Sequence, residues 1–152
     1  MLFQRINRSD PERIFIVVKN GWSTAALTNG QAVGWDLTDV DGVNVTKMAA
    51  TDVAHSFAGI VAETIAVGGY GLIQVYGYHS AVRVDASTTA DIFSGAALYA
   101  RVNAFNLKNG WQASGASTAI TLNTVGAAAA VALEGYGSVG TTGTIAAIIH
   151  AL

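Results

Sequence analysis

Cysteine is absent from this 152-residue chain, so disulfides and thiolate-held metals are excluded and stability must come from packing or assembly. Proline occurs once, at Pro11, and no proline-rich linker divides the chain. Charge is scarce too: Asp, Glu, Lys and Arg make up 12% of residues, about half the usual share. The formal net charge of −2 supplies no global basic field for nucleic acid or an anionic membrane, and neither is expected as a direct partner. The opening MLFQRINRSDPER lacks a continuous apolar core followed by a small-residue cleavage site, so no secretory signal is expected. The longest uncharged interval, Asn109 to Leu133, would span a bilayer on length alone, but Gly110, Gly115, Gly126 and many polar residues oppose insertion.

What is abundant is apolar and small. Hydrophobic residues reach 51%, with 17 glycines, which argues against disorder and for short strands joined by tight turns. The organising stretch is Phe57 to Val84, read as two strand-like runs, Phe57–Val67 and Gly71–Val84, joined at Gly68-Gly69-Tyr70-Gly71. Both are rich in Ile, Val, Tyr and Phe, which suit a pleated surface. Before them, Ile14–Val18 reads as a buried strand ending at Asn20-Gly21, Gln31–Leu37 as a strand, and Asp41-Gly42 as a hairpin turn between Trp35–Val40 and Val43–Met48. After them, Asp91–Val102 is either a strand broken at Gly95 or a helical turn plus strand. Ser117–Thr124 alternates as a strand with one wet face. Gly126–Leu133, mostly alanine, is open between helix and strand, and Gly143–Leu152 reads as a final strand. The expected fold is all-β or mainly-β: a short N-terminal arm, residues 1–13, and a single β-rich domain, residues 14–152, with no internal repeat evident.

No motif carries chemistry convincingly. Gly135-Tyr136-Gly137-Ser138-Val139-Gly140 has the letters of a dinucleotide fingerprint, but a β-like run follows where a helix is needed, and no cofactor is expected. Asp36, Asp39 and Asp41 before Gly42 suggest half a calcium loop, yet Leu37 and Met48 stand where its first and last acidic ligands belong. A surface hairpin with incidental carboxylates, or a weak ion site of other geometry, remains. His55, His79 and His150 show no metal-ligand register. A triad of Ser80, His55 and an aspartate lacks the nucleophile elbow that would make it specific. Asn7-Arg8-Ser9 and Asn44-Val45-Thr46 match the glycosylation pattern, which means little without a secretory signal. Half of the eight basic residues, Arg5, Arg8, Arg13 and Lys19, lie in the first nineteen positions, where Ser9-Asp10-Pro11-Glu12 fits a capping box.

The order NGQAVGWDL, FAGIVAETIAVGGYGLIQVYGYHSAVRV and DIFSGAALY resembles small head-decoration (cement) proteins of tailed bacteriophages. The matching positions are Gly30–Val33, Ala58–Val61, Gly68–Gly77, Val82–Val84 and Gly95–Leu98, within roughly residues 30–100. The resemblance implies a single β-barrel or β-tulip-like domain, non-enzymatic, that trimerises on the outer surface of an expanded capsid and clamps neighbouring major-capsid subunits. It also implies an N-terminal arm that contacts the capsid, through Leu2, Phe3, Arg5, Arg8 and Arg13 here. Residues 103–152 have no counterpart in that pattern. The competing expectation is a receptor- or glycan-binding fibre or spike module that stacks sugar on Trp22, Trp111 or Tyr78.

Overall fold

Sixteen residues, Tyr70–Asp85, form one continuous strand that pairs with four of the other eight strands described. The computed structural model describes residues 11–39, 41–48, 56–86, 91–101, 103–109, 128–137 and 140–151. Among them the protein is mainly β and no α-helix is present. Four strands precede the long one: β1 (Arg13–Asn20), β2 (Ala32–Trp35), β3 (Asn44–Thr46) and β4 (Phe57–Val61). The long strand is β5, and four more follow it: β6 (Ala97–Ala100), β7 (Leu107–Asn109), β8 (Ala130–Ala132) and β9 (Thr142–His150). The predicted class is therefore observed. Ser117–Thr124 and the start of Gly126–Leu133 lie outside the described residues. The described end of that alanine segment is strand, and within Asp91–Val102 an isolated bridge at Ile92 and a turn holding Gly95 precede the strand Ala97–Ala100, with Val102 outside the described residues.

The strand pairings close on themselves twice. β1 pairs with β3, β3 with β2, β2 with β4, β4 with β5, and β5 returns to β1. In the same way β5 pairs with β7, β7 with β6, β6 with β8, β8 with β9, and β9 returns to β5. The first half of β5 (from Tyr70) is a wall of the first ring, and its second half (to Asp85) a wall of the second. Each ring has its own core. Leu27, Val33, Val45, Val61, Ile65 and Ile73 fill the first, and Val82, Ile92, Leu98, Leu107, Ile145 and Ile149 fill the second. Burial of each such side chain contributes about 1.5–3 kcal/mol, so both rings are held mainly by packing.

The two rings are copies of one plan, and the expectation of no internal repeat is corrected here. In both, the first strand pairs in parallel with the third, and every other contact is antiparallel. The correspondence reaches single hydrogen bonds. Leu27 and Ile65 exchange backbone bonds in the first ring as Ile92 and Tyr136 do in the second. Gly30 and Gly95, both with φ of 84°, donate to the carbonyls of Val61 and Ala132. The Glu63 carboxylate accepts the Leu72 N–H at 2.9 Å, and Glu134 accepts the Ala146 N–H at 2.6 Å. The spacing from Leu27 to Ile92, Gly30 to Gly95 and Ala32 to Ala97 is constant, yet few pairs besides the two glycines, the alanines and the glutamates kept their residue type. The plan is carried by packing and backbone bonding and not by side-chain identity, which is why periodicity alone missed it.

The rings are joined by more than β5. The turn Thr28–Gln31 of the first ring docks on the second: the Gly30 carbonyl accepts the Arg83 N–H at 2.8 Å and the Thr28 hydroxyl accepts from the Arg83 guanidinium at 3.0 Å. The Ala32 N–H donates to the Phe105 carbonyl, and the Asn103 N–H to the Met48 carbonyl. Ala32, Phe57 and Ile60, on the outer side of β2 and β4, add to the second core. Trp22 of the first ring meets Phe105 of the second edge to face at 5.8 Å.

Candidate interaction surface

The groups with reactive potential are held apart or committed to the fold. His79 is buried beside the irregularity in the β5–β9 ladder, where its Nδ1 accepts the Ala81 N–H at 3.1 Å. Burial, reinforced by the positive charge of Arg13, pushes its pKa below the ordinary value. His150 ends β9 and packs edge-on against Tyr76, while His55 lies outside the described residues. The carboxylates around Gly42 serve the hairpin. Asp41 Oδ1 accepts the N–H groups of Val43 and Asn44, which holds its pKa below the usual carboxylate range, and Asp36 Oδ1 accepts from Thr38. Asp39 and Asp41 both accept from the Asn44 amide, at 2.6 and 2.8 Å. That amide is buried, so Asn44 is a poor glycosylation acceptor in the folded chain. Among the described residues no three His, Cys, Asp or Glu side chains are grouped to hold a metal. The Gly135–Gly140 segment leads into the strand β9, not a helix, and Ser138 and Val139 lie outside the described residues.

The proposed aromatic binders are likewise dispersed. Trp22 has the Lys47 ammonium 4.7 Å above its ring, and Tyr78 has the Arg13 guanidinium 5.7 Å above its own, while Trp111 is outside the described residues. Each of the two described rings is thus paired with its own cation.

A coherent surface does emerge on β1 and the first half of β5. The run Ile14–Val18 was expected to be buried, and only part of it is. Val18 is inaccessible, whereas Ile14 and Phe15 are exposed and Val17 is 63% exposed. The reason is geometric: alternate residues of β1 point into the first ring, and among the described residues no second layer covers the outer side. Opposite Val17 in register stands the exposed Leu72, and opposite Lys19 stands Tyr70, 68% exposed. Together with Phe15 and Tyr76 these side chains make an apolar stripe, of the kind that marks contact surfaces. Sequence reasoning missed it because a strand of continuous Ile, Phe and Val looks the same whether one or both faces are covered.

The stripe begins where the proposed arm joins the body. Leu2, Phe3, Arg5 and Arg8 lie outside the described residues. Arg13, the remaining arm residue, is the first of β1 and pairs in register with Gly77, the point at which β5 passes from one ring to the other. No protein-family model matches the chain, and no curated protein was found to be similar to it. No helix among the described residues is long and apolar enough to cross a membrane.

Proposed function

We propose that this chain is a non-enzymatic virion structural protein that docks on the outer surface of an expanded phage capsid, and clamps neighbouring major-capsid subunits as a homotrimer. One observation supports this most directly: an apolar stripe on the outside of β1 and β5 is continuous with the root of a segment carrying Arg5, Arg8 and Arg13. The stripe supplies apolar contact, and the arm supplies charge-assisted contacts, on a body held rigid by two closed ladders. Repetition of such modest contacts by symmetry yields firm attachment without a deep pocket.

Co-sedimentation of the purified protein with undecorated, expanded heads tests the reading. Saturable binding at three copies per local three-fold site is expected, and no binding to mature heads overturns it. Replacing Arg5 and Arg8 together by Ala should weaken attachment about tenfold, roughly 1.4 kcal/mol, and blunt its salt dependence while leaving the domain folded. Unchanged affinity would remove the arm from the mechanism.

A further inference from the structure

The internal joint between the rings has two sides, and among the described residues each has a second example that no other segment covers in the same way. One side is the turn Thr28–Gln31, whose Gly30 is crowded by the Ala81 carbonyl and bonded to the Arg83 N–H. Its counterpart in the second ring is the turn Phe93–Ala96. It has the same glycine φ and the same closing bond, from the Ala96 N–H to the Phe93 carbonyl. There a methyl group on Gly95 would meet no other described residue within 4 Å, and Phe93 is 61% exposed. The other side of the joint is the outer edge of β5 around Ala81–Arg83. Its counterpart in the first ring is the outer edge of β1 around Val17–Lys19, since Val18 pairs with Gly71 as Val82 pairs with Ile145. On that edge β3 reaches only Lys19 and Asn20, and among the described residues no strand pairs beyond.

We infer that a second copy of this chain docks head to tail across these two surfaces, the turn Phe93–Ala96 of one copy meeting the β1 edge of the next. The occupant is a second copy because the chain already makes this joint once with itself. Among the described residues the turn is the uncovered counterpart of one that is covered, and the edge is open just before the counterpart position. The contact between copies differs in one detail. Lys19, the counterpart of Arg83, already donates its N–H to Val43, so the donor available to the Gly95 carbonyl is Val17, two residues earlier on the same side of the strand. Phe93, in the position of Thr28, then lies beside Val17, replacing a polar contact by an apolar one. The joint is heterologous, so it propagates the alternation of rings from copy to copy and closes into a cycle when the rotation between copies permits. It rests on the internal repeat and not on capsid binding.

Two exposed-site variants and their mixture test this by sedimentation equilibrium. The native chain should run as a multiple of its own mass. Val17→Lys, which places a charge on the edge, and Phe93→Lys, which places one on the turn, should each run as a monomer with an unchanged circular dichroism spectrum. Mixed in equal amounts, they should form a dimer and nothing larger, because one intact turn and one intact edge remain between them. A native chain that stays monomeric at every concentration overturns the inference. So does an oligomer that survives either substitution, or a mixture that fails to pair. If Val17→Lys does not fold, Phe93→Lys alone decides by the loss or survival of the oligomer. A monomeric chain that still decorates heads would refute this contact and leave the capsid reading standing.

Discussion

Gly77 shows how much of the architecture rests on one backbone position. Its φ of 95° is one that side-chain-bearing residues rarely adopt, and a methyl group there would overlap the Glu12 carbonyl. Gly77→Ala should cost at least about 2 kcal/mol by denaturant unfolding, since strain and overlap act together. A cost under half that would mean that β1 and β5 can separate here at little expense. His79, two residues on, makes the junction pH-sensitive. Its folded pKa lies below the free value of 6.5, so the unfolded chain binds the proton first. Its contribution is complete above about pH 6.5, falls as pH drops toward the lowered folded value, and levels off beneath it. His79→Gln should flatten the stability profile in that window, and an unaltered slope would assign the dependence to other groups. At this scale the sequence was informative about turns, where Asp41-Gly42 and Gly95 announced themselves. It was silent about Gly77, which sits in a run with strand character throughout.

At the level of elements, the long strand predicted over Gly71–Val84 is present as β5, and the run after Gly143 is β9. The strands Ile14–Val18 and Gln31–Leu37 also had visible counterparts in β1 and β2. What stayed hidden was pairing. β1 joins β5 across much of the first half of the chain, and the parallel contacts of β1 with β3 and of β5 with β7 involve only a few residues. Such long-range partners leave no local periodicity. The candidate surface was hidden for a related reason, since the exposure of Val17 and Leu72 depends on what fails to cover them. Partition of the cores between rings gives a direct test of coupling. Ile73 belongs to the first core and Ile149 to the second. Replacing either by Ala should cost about 2–5 kcal/mol. Because both rings share β5, each variant should still unfold in a single transition, with circular dichroism and fluorescence coincident. Separate transitions would show that the rings are independent.

Across the whole molecule, the arrangement is a tandem repeat whose units overlap by a strand. That explains why a single β domain was a fair expectation from sequence and why the doubling escaped notice. No linker marks the boundary, because β5 is the last strand of one unit and the first of the other. It also distinguishes this chain from repeat arrays in which each unit has its own elements and contacts its neighbour only by its faces.

The shared strand makes the protein a structural repeat that cannot be divided. A fragment ending at Asp85 keeps every strand of the first ring, and one beginning at Tyr70 keeps every strand of the second. The first ring pairs along Tyr70–Gly77 and the second along Tyr76–Asp85, so the two units meet within one unbroken strand and no cleavage outside β5 can release both intact. Proteolysis within residues 62–69 or 86–96 would leave one half without its wall. Gene-level reshuffling meets the same obstacle: neither unit can be exchanged alone without rebuilding the strand that belongs to its sibling.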